Sequence, residues 1–256
     1  MRTVYVGTSG WYYKDWHASF YPPKLSKPKL LPFYAERLPT VEINASFYKL
    51  LTPKTVEDWS SKVPEPFIFV VKGSRFITHM IKLKNPARAL KNFFASLRGF
   101  GKHLGPILWQ LPPMLHKDIP RLEAFLHALP KHYRFAVEFR HPSWIDDAVL
   151  GLLYEHNVAE VWLSSLAMPM RLEVTADFVF TRFHGLEGGF RHDYSRAELE
   201  PWAKAMRTQA RQGREVFAFF NNDGNARAPQ NARMLMEMVE PYAVWPEKAK
   251  ELLIAA

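Results

Sequence analysis

The chain has no cysteine among its 256 residues. That excludes a disulfide framework, a thiolate nucleophile and cysteine-ligated zinc, and it fits a reducing compartment. Long apolar runs are missing too: they stop at about six residues, against the roughly 20 that a membrane helix requires. No membrane partner is expected. The first strand-like run begins within a few residues of Met1, which leaves no room for a signal peptide, so the expected location is the cytoplasm. That run leads into Gly7-Thr8-Ser9-Gly10-Trp11, which has neither G-x-G-x-x-G nor a lysine-bearing phosphate loop, so a Rossmann site is not expected. No glycine- or serine-rich linker marks a boundary, and a single domain over 1–256 is expected. Acidic residues are outnumbered, 25 against 34 Lys and Arg, for a formal net charge of +9.

What the chain does have is one pattern repeated eight times: a short apolar run that ends abruptly in polar residues. Val4-Tyr5-Val6 runs into Gly7-Thr8-Ser9, and Val41 into Glu42-Ile43-Asn44. Phe67–Val71 ends at Lys72 and Ile107–Trp109 at Gln110, while Phe135–Val137 ends in Glu138-Phe139-Arg140-His141. Val161–Leu163 ends at Ser164, Phe178–Thr181 in Arg182-Phe183-His184, and Val216–Phe220 in Asn221-Asn222-Asp223. Between the runs lie helix-like segments at roughly 29–38, 119–129, 146–156 and 229–239. Others open at Thr52-Pro53 and Asn85-Pro86, each a capping side chain before a first-turn proline. Another opens at the Ser195-x-x-Glu198 capping box and closes at Gly213. Strand–helix alternation implies parallel strands with right-handed crossovers. Eight such units in about 250 residues imply an α/β fold of the TIM-like (β/α)8 barrel type. The stretch from Ser164 to Phe178 contains Pro169 and is tight for a crossover helix, so the sixth helix is expected to be truncated or irregular.

Parallel strands put all eight polar ends on one face, where barrel ligand sites lie. Side chains two apart share a face of a strand, which groups Glu42 with Asn44, Glu138 with Arg140, and Arg182 with His184. Lys72, Gln110, and Asn221 or Asn222 join them. A structural reading pairs Glu138 with Arg140 and Glu42 with Lys72 on the adjacent strand. Against it stands the cost of burying so many charges, several kcal/mol per ion. The cations Lys72, Arg140 and Arg182 point to an anionic ligand, and Lys14, Arg75, Arg191 and Arg227 also sit near strand ends. Other basic residues, from Lys82 to Lys102 and from Lys204 to Arg214, fall on outer helices and read as a solvated surface. Glu42, Glu138, His184 and Asp223, with His79, His141 or His192, are the residues that could hold a divalent metal, but their spacing matches no metal motif. No cofactor is specified. Trp11, Tyr12, Tyr13 and Trp16, with Phe47 and Tyr48, would pack a lid or offer a stacking surface to bases or sugars.

Several of these segments together resemble a known family. Gly7 to Trp11, Glu42-Ile43-Asn44-x-Ser46-Phe47-Tyr48, Lys72 through Thr78-His79, and Gln110-Leu111-Pro112-Pro113 look like successive motifs of the YecE-like proteins, the domain of unknown function 72 family. Glu138 to Trp144, Arg182 to Gly185, and Asn221 to Asp223 with Ala228 to Ala232 continue the resemblance through essentially the whole chain. It implies a TIM-like barrel and no particular activity.

The leading functional expectation is hydrolysis of a phosphate-containing substrate, a nucleic acid or nucleotide. Glu138 serves as general base or metal ligand and His184 as general acid. Lys72, Arg140 and Arg182 hold the anion. Trp11, Tyr12, Asn44, Gln110, His141, Asn221, Asn222 and Asp223 contact the rest of the substrate. One alternative is a glycosidase-like enzyme working through Glu42 and Glu138. Another is a non-catalytic nucleic-acid-binding protein. The sequence implies no protein partner.

Overall fold

Each of the eight apolar runs forms a strand in the computed structural model, which describes residues 3–254. They are β1 (Val4–Thr8), β2 (Thr40–Ile43), β3 (Ile68–Lys72), β4 (Leu104–Gln110), β5 (Phe135–Glu138), β6 (Val158–Ser164), β7 (Phe178–Phe183) and β8 (Glu215–Phe220). All neighbours pair in parallel, and β8 closes onto β1 with Val4 opposite Val216, giving a closed barrel in sequence order. Strand alternation then divides the apolar residues into two cores. Val70, Leu108, Ala136, Ala159, Phe178, Phe180, Phe217 and Phe219 point inward and fill the lower barrel. Val41, Phe69, Trp109, Val137, Trp162, Phe183 and Phe220 belong to the larger core that the helices complete. A fully buried Val, Leu or Phe contributes about 1.5–3 kcal/mol, so both faces of each strand stabilise the barrel.

The inward face changes character two residues nearer the carboxyl end. Val70 gives way to Lys72, Leu108 to Gln110, Ala136 to Glu138, Phe180 to Arg182 and Phe219 to Asn221. The apolar layer below shuts water out from the amino-terminal side. The polar layer above can therefore be reached only through the mouth.

The helices form where apolar periodicity and caps place them. Pro53–Ser60 starts with Thr52 Oγ1 accepting from the Thr55 amide, and Arg196–Arg211 starts with the full Ser195/Glu198 capping box. Gly213 follows at φ +88°, a left-handed exit that glycine adopts without strain. The segments expected at 29–38, 119–129, 146–156 and 229–239 are Lys27–Ala35, Ile119–His127, Asp147–Glu155 and Arg227–Met238. Asn85 is a correction. Its backbone is left-handed (φ +44°) and its side chain caps nothing; the helix begins one residue later, at Ala87. A capping side chain works from extended backbone, which Asn85 lacks.

Between β6 and β7 there is no helix. Residues 165–177 run as an irregular strap over the outer face of β6, tied by side chains in place of helical packing. Thr175 Oγ1 donates to the Val158 carbonyl (2.7 Å) and accepts from the Glu160 amide (2.8 Å), while Trp162 Nε1 donates to the Glu173 carbonyl (2.6 Å). Glu160 is buried beneath this strap, 3.9 Å from Arg171. Burial pushes its carboxyl up to about 7 against the pull of Arg171. The folded state therefore holds this proton more tightly than the unfolded state. The contribution to stability is complete below about pH 4.5 and is lost as pH rises through about 7. Urea midpoints across that window are expected to fall less for Glu160→Gln than for the wild type. Parallel curves would assign the pH dependence to another group.

Candidate functional site

The inward polar layer is one connected network centred on Arg182. From β7, Arg182 spans the barrel interior: Nη2 donates to Glu42 Oε1 on β2 and Nη1 to Glu138 Oε2 on β5, each at 2.6 Å. Glu138 also accepts from Gln110 Nε2 (3.0 Å) and from Arg140 Nε. The Arg140 Nη2 group reaches His184 Nε2 at 2.8 Å, and Arg182 Nη1 reaches the same nitrogen at 3.1 Å. Depth is graded. The Glu42, Glu138 and Arg182 side chains are 0%, 1% and 1% exposed, whereas His184 and Arg140 reach 12% and 20%. The first three form a floor, and the other two are its accessible edge.

Charge and burial compete at each group. Burial opposes ionisation of Glu138, but Arg182 and Arg140 hold its carboxyl well below the usual carboxylate range. Burial also works against the Arg182 guanidinium, and Glu42 and Glu138 outweigh it. His184 is driven down to about 4 by burial, which outweighs the attraction of Glu138, and Arg182 and Arg140 add to the fall. It is therefore a neutral ring at pH 7. Guanidiniums only donate, so Nε2 is the acceptor and the ring proton sits on Nδ1. The Asn221 amide lies 3.0 Å from Nδ1 and meets that proton with its oxygen, its O and N being interchangeable by a flip.

Lys72 differs from the other cations. Its Nζ stands 4.3 Å over the Phe47 ring and has no carboxylate partner among the described residues. Ser46 Oγ fixes the end of its strand by donating to the Lys72 carbonyl (2.6 Å). Burial lowers the Lys72 ammonium to about 8, with Arg182 adding to the fall. Three cations, two carboxylates and a neutral histidine leave one positive charge in excess, located at Lys72.

Several expectations change. Glu42 pairs with Arg182 and not with Lys72, and it is too deep to touch a substrate. Glu138 is saturated and strongly acidic, so it is a poor general base. His184 is unprotonated near neutrality, so it cannot serve there as a general acid. The glycosidase arrangement requires a sugar between Glu42 and Glu138, and the Arg182 guanidinium fills that gap by bonding to both. Asn222 turns away from the bowl to His192 and Asn231, because β8 alternation points Asn221 inward. Asp223 also stays outside the network: its carbonyl accepts from Trp16 Nε1, and its carboxyl, raised by burial, lies near Asp15. His141 bonds to Ser143, and its ring centre lies 3.9 Å from that of His116 with the planes tilted by 31°. Trp16 and Tyr13 pack into the rim, whereas Tyr12 remains half exposed. Among the described residues no three His, Asp or Glu side chains converge closely enough to hold a metal ion, including Glu42, Glu138, His184 and Asp223.

A cleft beside the bowl contains groups that carried no sequence signal. Ser9, Trp11, Tyr12 and Asn44 line it together with Lys27 and Trp59 from two outer helices and Lys62 from the turn after the second. Lys27 and Trp59 read locally as ordinary helix residues, and only the packing of those helices against the rim places them there. No helix among the described residues is long and apolar enough to cross a membrane.

Known proteins resemble this chain in sequence and, where their structures are solved, in architecture. The UPF0759 protein YunF of Bacillus subtilis is 27% identical, with 93% of this chain and 95% of that protein aligned. The UPF0759 protein YecE of Escherichia coli O157:H7 is also 27% identical, over 63% of this chain and 59% of that protein. A crystal structure of a DUF72 family protein from Thermotoga maritima superposes with a TM-score of 0.86 at 28% identity, covering 93% of this chain and all of that one. One from Enterococcus faecalis shares the fold, with a TM-score of 0.81 at 20% identity over 92% of this chain and 95% of that one. The family model described as "Protein of unknown function DUF72" matches residues 5–252, and the chain belongs to that family.

Proposed function

We propose that this protein is a hydrolase for a phosphate-containing substrate bound at the carboxyl-end mouth. The observation that carries the reading is Lys72, a cation without a carboxylate partner among the described residues, beside a network whose other charges are paired. A phosphate entering the mouth meets the Lys72 ammonium and the accessible edge of Arg140. Phosphate oxygens are stronger acceptors for a guanidinium than a neutral imidazole is, so the Arg140 Nη2 group exchanges His184 for the substrate. His184 Nε2 then keeps only its longer contact, 3.1 Å from Arg182 Nη1, and with the Arg140 charge drawn to the phosphate it becomes a better acceptor for a proton from water. The water oxygen forms the new bond to phosphorus, the bond to the leaving oxygen breaks, and the Lys72 ammonium supplies that oxygen's proton. Glu138 and Glu42 hold the two guanidiniums in place, Gln110 braces Glu138, and Asn221 fixes the His184 tautomer.

The test is a panel of labelled DNA, RNA and small phosphoesters, each assayed with a divalent cation and with chelator. Turnover by the wild type is expected to fall about 100-fold or more in His184→Gln, the lower range for loss of a positioned acid or base. Equal turnover in both proteins would sink the proposal. Binding without turnover, with a steep salt dependence, would favour the non-catalytic nucleic-acid reading instead.

A further inference from the structure

The cleft beside the bowl has the makings of a second half of the site. It encloses about 650 Å³ between the loop after β1, the turn after β2 and the helices Lys27–Ala35 and Pro53–Ser60. That is within the range of small-ligand pockets, about 300–1,000 Å³. Its walls are largely aromatic and aliphatic. Trp11 and Trp59 meet edge to face with ring centroids 4.9 Å apart, and the Lys27 ammonium lies 4.8 Å from the Tyr12 ring centre.

Two polar atoms lie buried just behind this lining, and neither has a partner among the described residues. Ser9 Oγ and Asn44 Oδ1 are both buried without a hydrogen bond, and the Ser9 residue is only 2% exposed. The other end of the Asn44 amide is committed, Nδ2 donating to the Ser9 carbonyl at 3.1 Å. A buried polar atom left unsatisfied costs about 1–3 kcal/mol. Two in one wall would be satisfied by a ligand's polar edge if the Ser9 and Asn44 side chains turned toward the cleft. Asn44 Oδ1 can only accept and Ser9 Oγ can do either, so the matching edge carries an N–H beside a second polar atom. A lipid tail would leave both atoms unsatisfied, and a free sugar would leave most of its hydroxyls facing hydrocarbon.

Ser9 and Asn44 also form the partition with the bowl. Ser9 continues the inward face of β1 beyond Gly7, and Asn44 lies two residues beyond Glu42. Asn44 follows β2, whose neighbour β3 ends at Lys72, so the partition stands one strand from that residue. Lys27 and Lys62 against Asp58 leave the cleft rim net positive, the Lys62–Asp58 pair being closed at 2.7 Å.

We propose that this cleft binds the heteroaromatic base of a nucleotide, with its ring against Trp11 and Tyr12 and its N–H edge on Asn44 Oδ1 and Ser9 Oγ once those two side chains turn toward it. The placement of the phosphate over Lys72 rests on the hydrolase reading above; the base site does not.

Titration calorimetry on the full chain separates the two, using AMP, CMP, GMP and UMP, their nucleosides, ribose 5-phosphate and inorganic phosphate. The best mononucleotide is expected to bind at least about tenfold tighter than ribose 5-phosphate, roughly one well-made polar or stacking contact. Asn44→Leu and Trp59→Leu should each bring it to the ribose 5-phosphate level while leaving ribose 5-phosphate itself unchanged, which also certifies the fold. Lys72→Met should weaken ribose 5-phosphate and mononucleotide alike and spare the nucleoside. Nucleoside binding with no gain from phosphate would uphold the base site and overturn the phosphate reading. Ribose 5-phosphate binding as tightly as every mononucleotide would overturn the base site and uphold the phosphate reading. Binding of neither would overturn both.

Discussion

Arg182→Met is expected to lower the unfolding free energy by about 3–5 kcal/mol, the usual consequence of removing one partner from a buried charge pair. The loss falls unequally on the two carboxylates. Glu138 keeps Gln110 and Arg140 as donors, whereas Glu42 is left with none, since its Oε2 already lacks a partner. Adding Glu42→Gln to Arg182→Met should therefore recover most of the stability. Adding Glu138→Gln should recover little and should release Arg140 as well. Urea unfolding of the three variants reads the result directly. Equal rescue by the two glutamine substitutions would mean that the floor is not organised around Glu42.

The second large effect concerns Lys72. Lys72→Met should reduce turnover on the best phosphoester by about 100-fold or more, with no loss of stability. Its folded-state value of about 8 lies below the ordinary 10.5, so the fold holds this charged group at a disadvantage below pH 8. The unfolded chain binds the proton more tightly between about 8 and 10.5, and stability rises with pH across that window. Lys72→Met should abolish that alkaline rise. Wild-type turnover should fall as pH passes about 8, where the ammonium donor is lost. Lys72→Arg should keep the phosphate but remove this alkaline limb, because a guanidinium does not deprotonate there. An alkaline limb that persists in Lys72→Arg would assign the proton to a different group.

The wall shared by bowl and cleft explains why the two sets of residues were hard to connect beforehand. Trp11, Tyr12 and Asn44 belong to motifs at strand ends. Trp59 comes from the end of an outer helix, Lys62 from the turn after it and Lys27 from the start of another, with ordinary amphipathic surroundings. Their contribution exists only because the β1 loop folds outward between those helices, anchored by Trp16 Nε1 on the Asp223 carbonyl. His116 likewise meets His141 only through the packing of the β4 and β5 loops.

That the sixth crossover holds no helix at all came from the structure. The sequence alone determined the strand positions, the common direction of their polar ends, the irregular sixth crossover and the family. These follow from local rules: side-chain alternation at period two, caps at helix starts, and the length a crossover requires. Alternation also settled that Glu42, Glu138, Arg182 and His184 share the inward face. Which of them pair was decided only by barrel closure. Arg182 reaches a carboxylate 140 positions away in preference to leaving Glu42 to Lys72 on the adjacent strand. One guanidinium spanning two carboxylates makes charge-assisted bonds to both, and no local pattern encodes that reach. Lys72 was thereby left without a carboxylate, and His184 neutral.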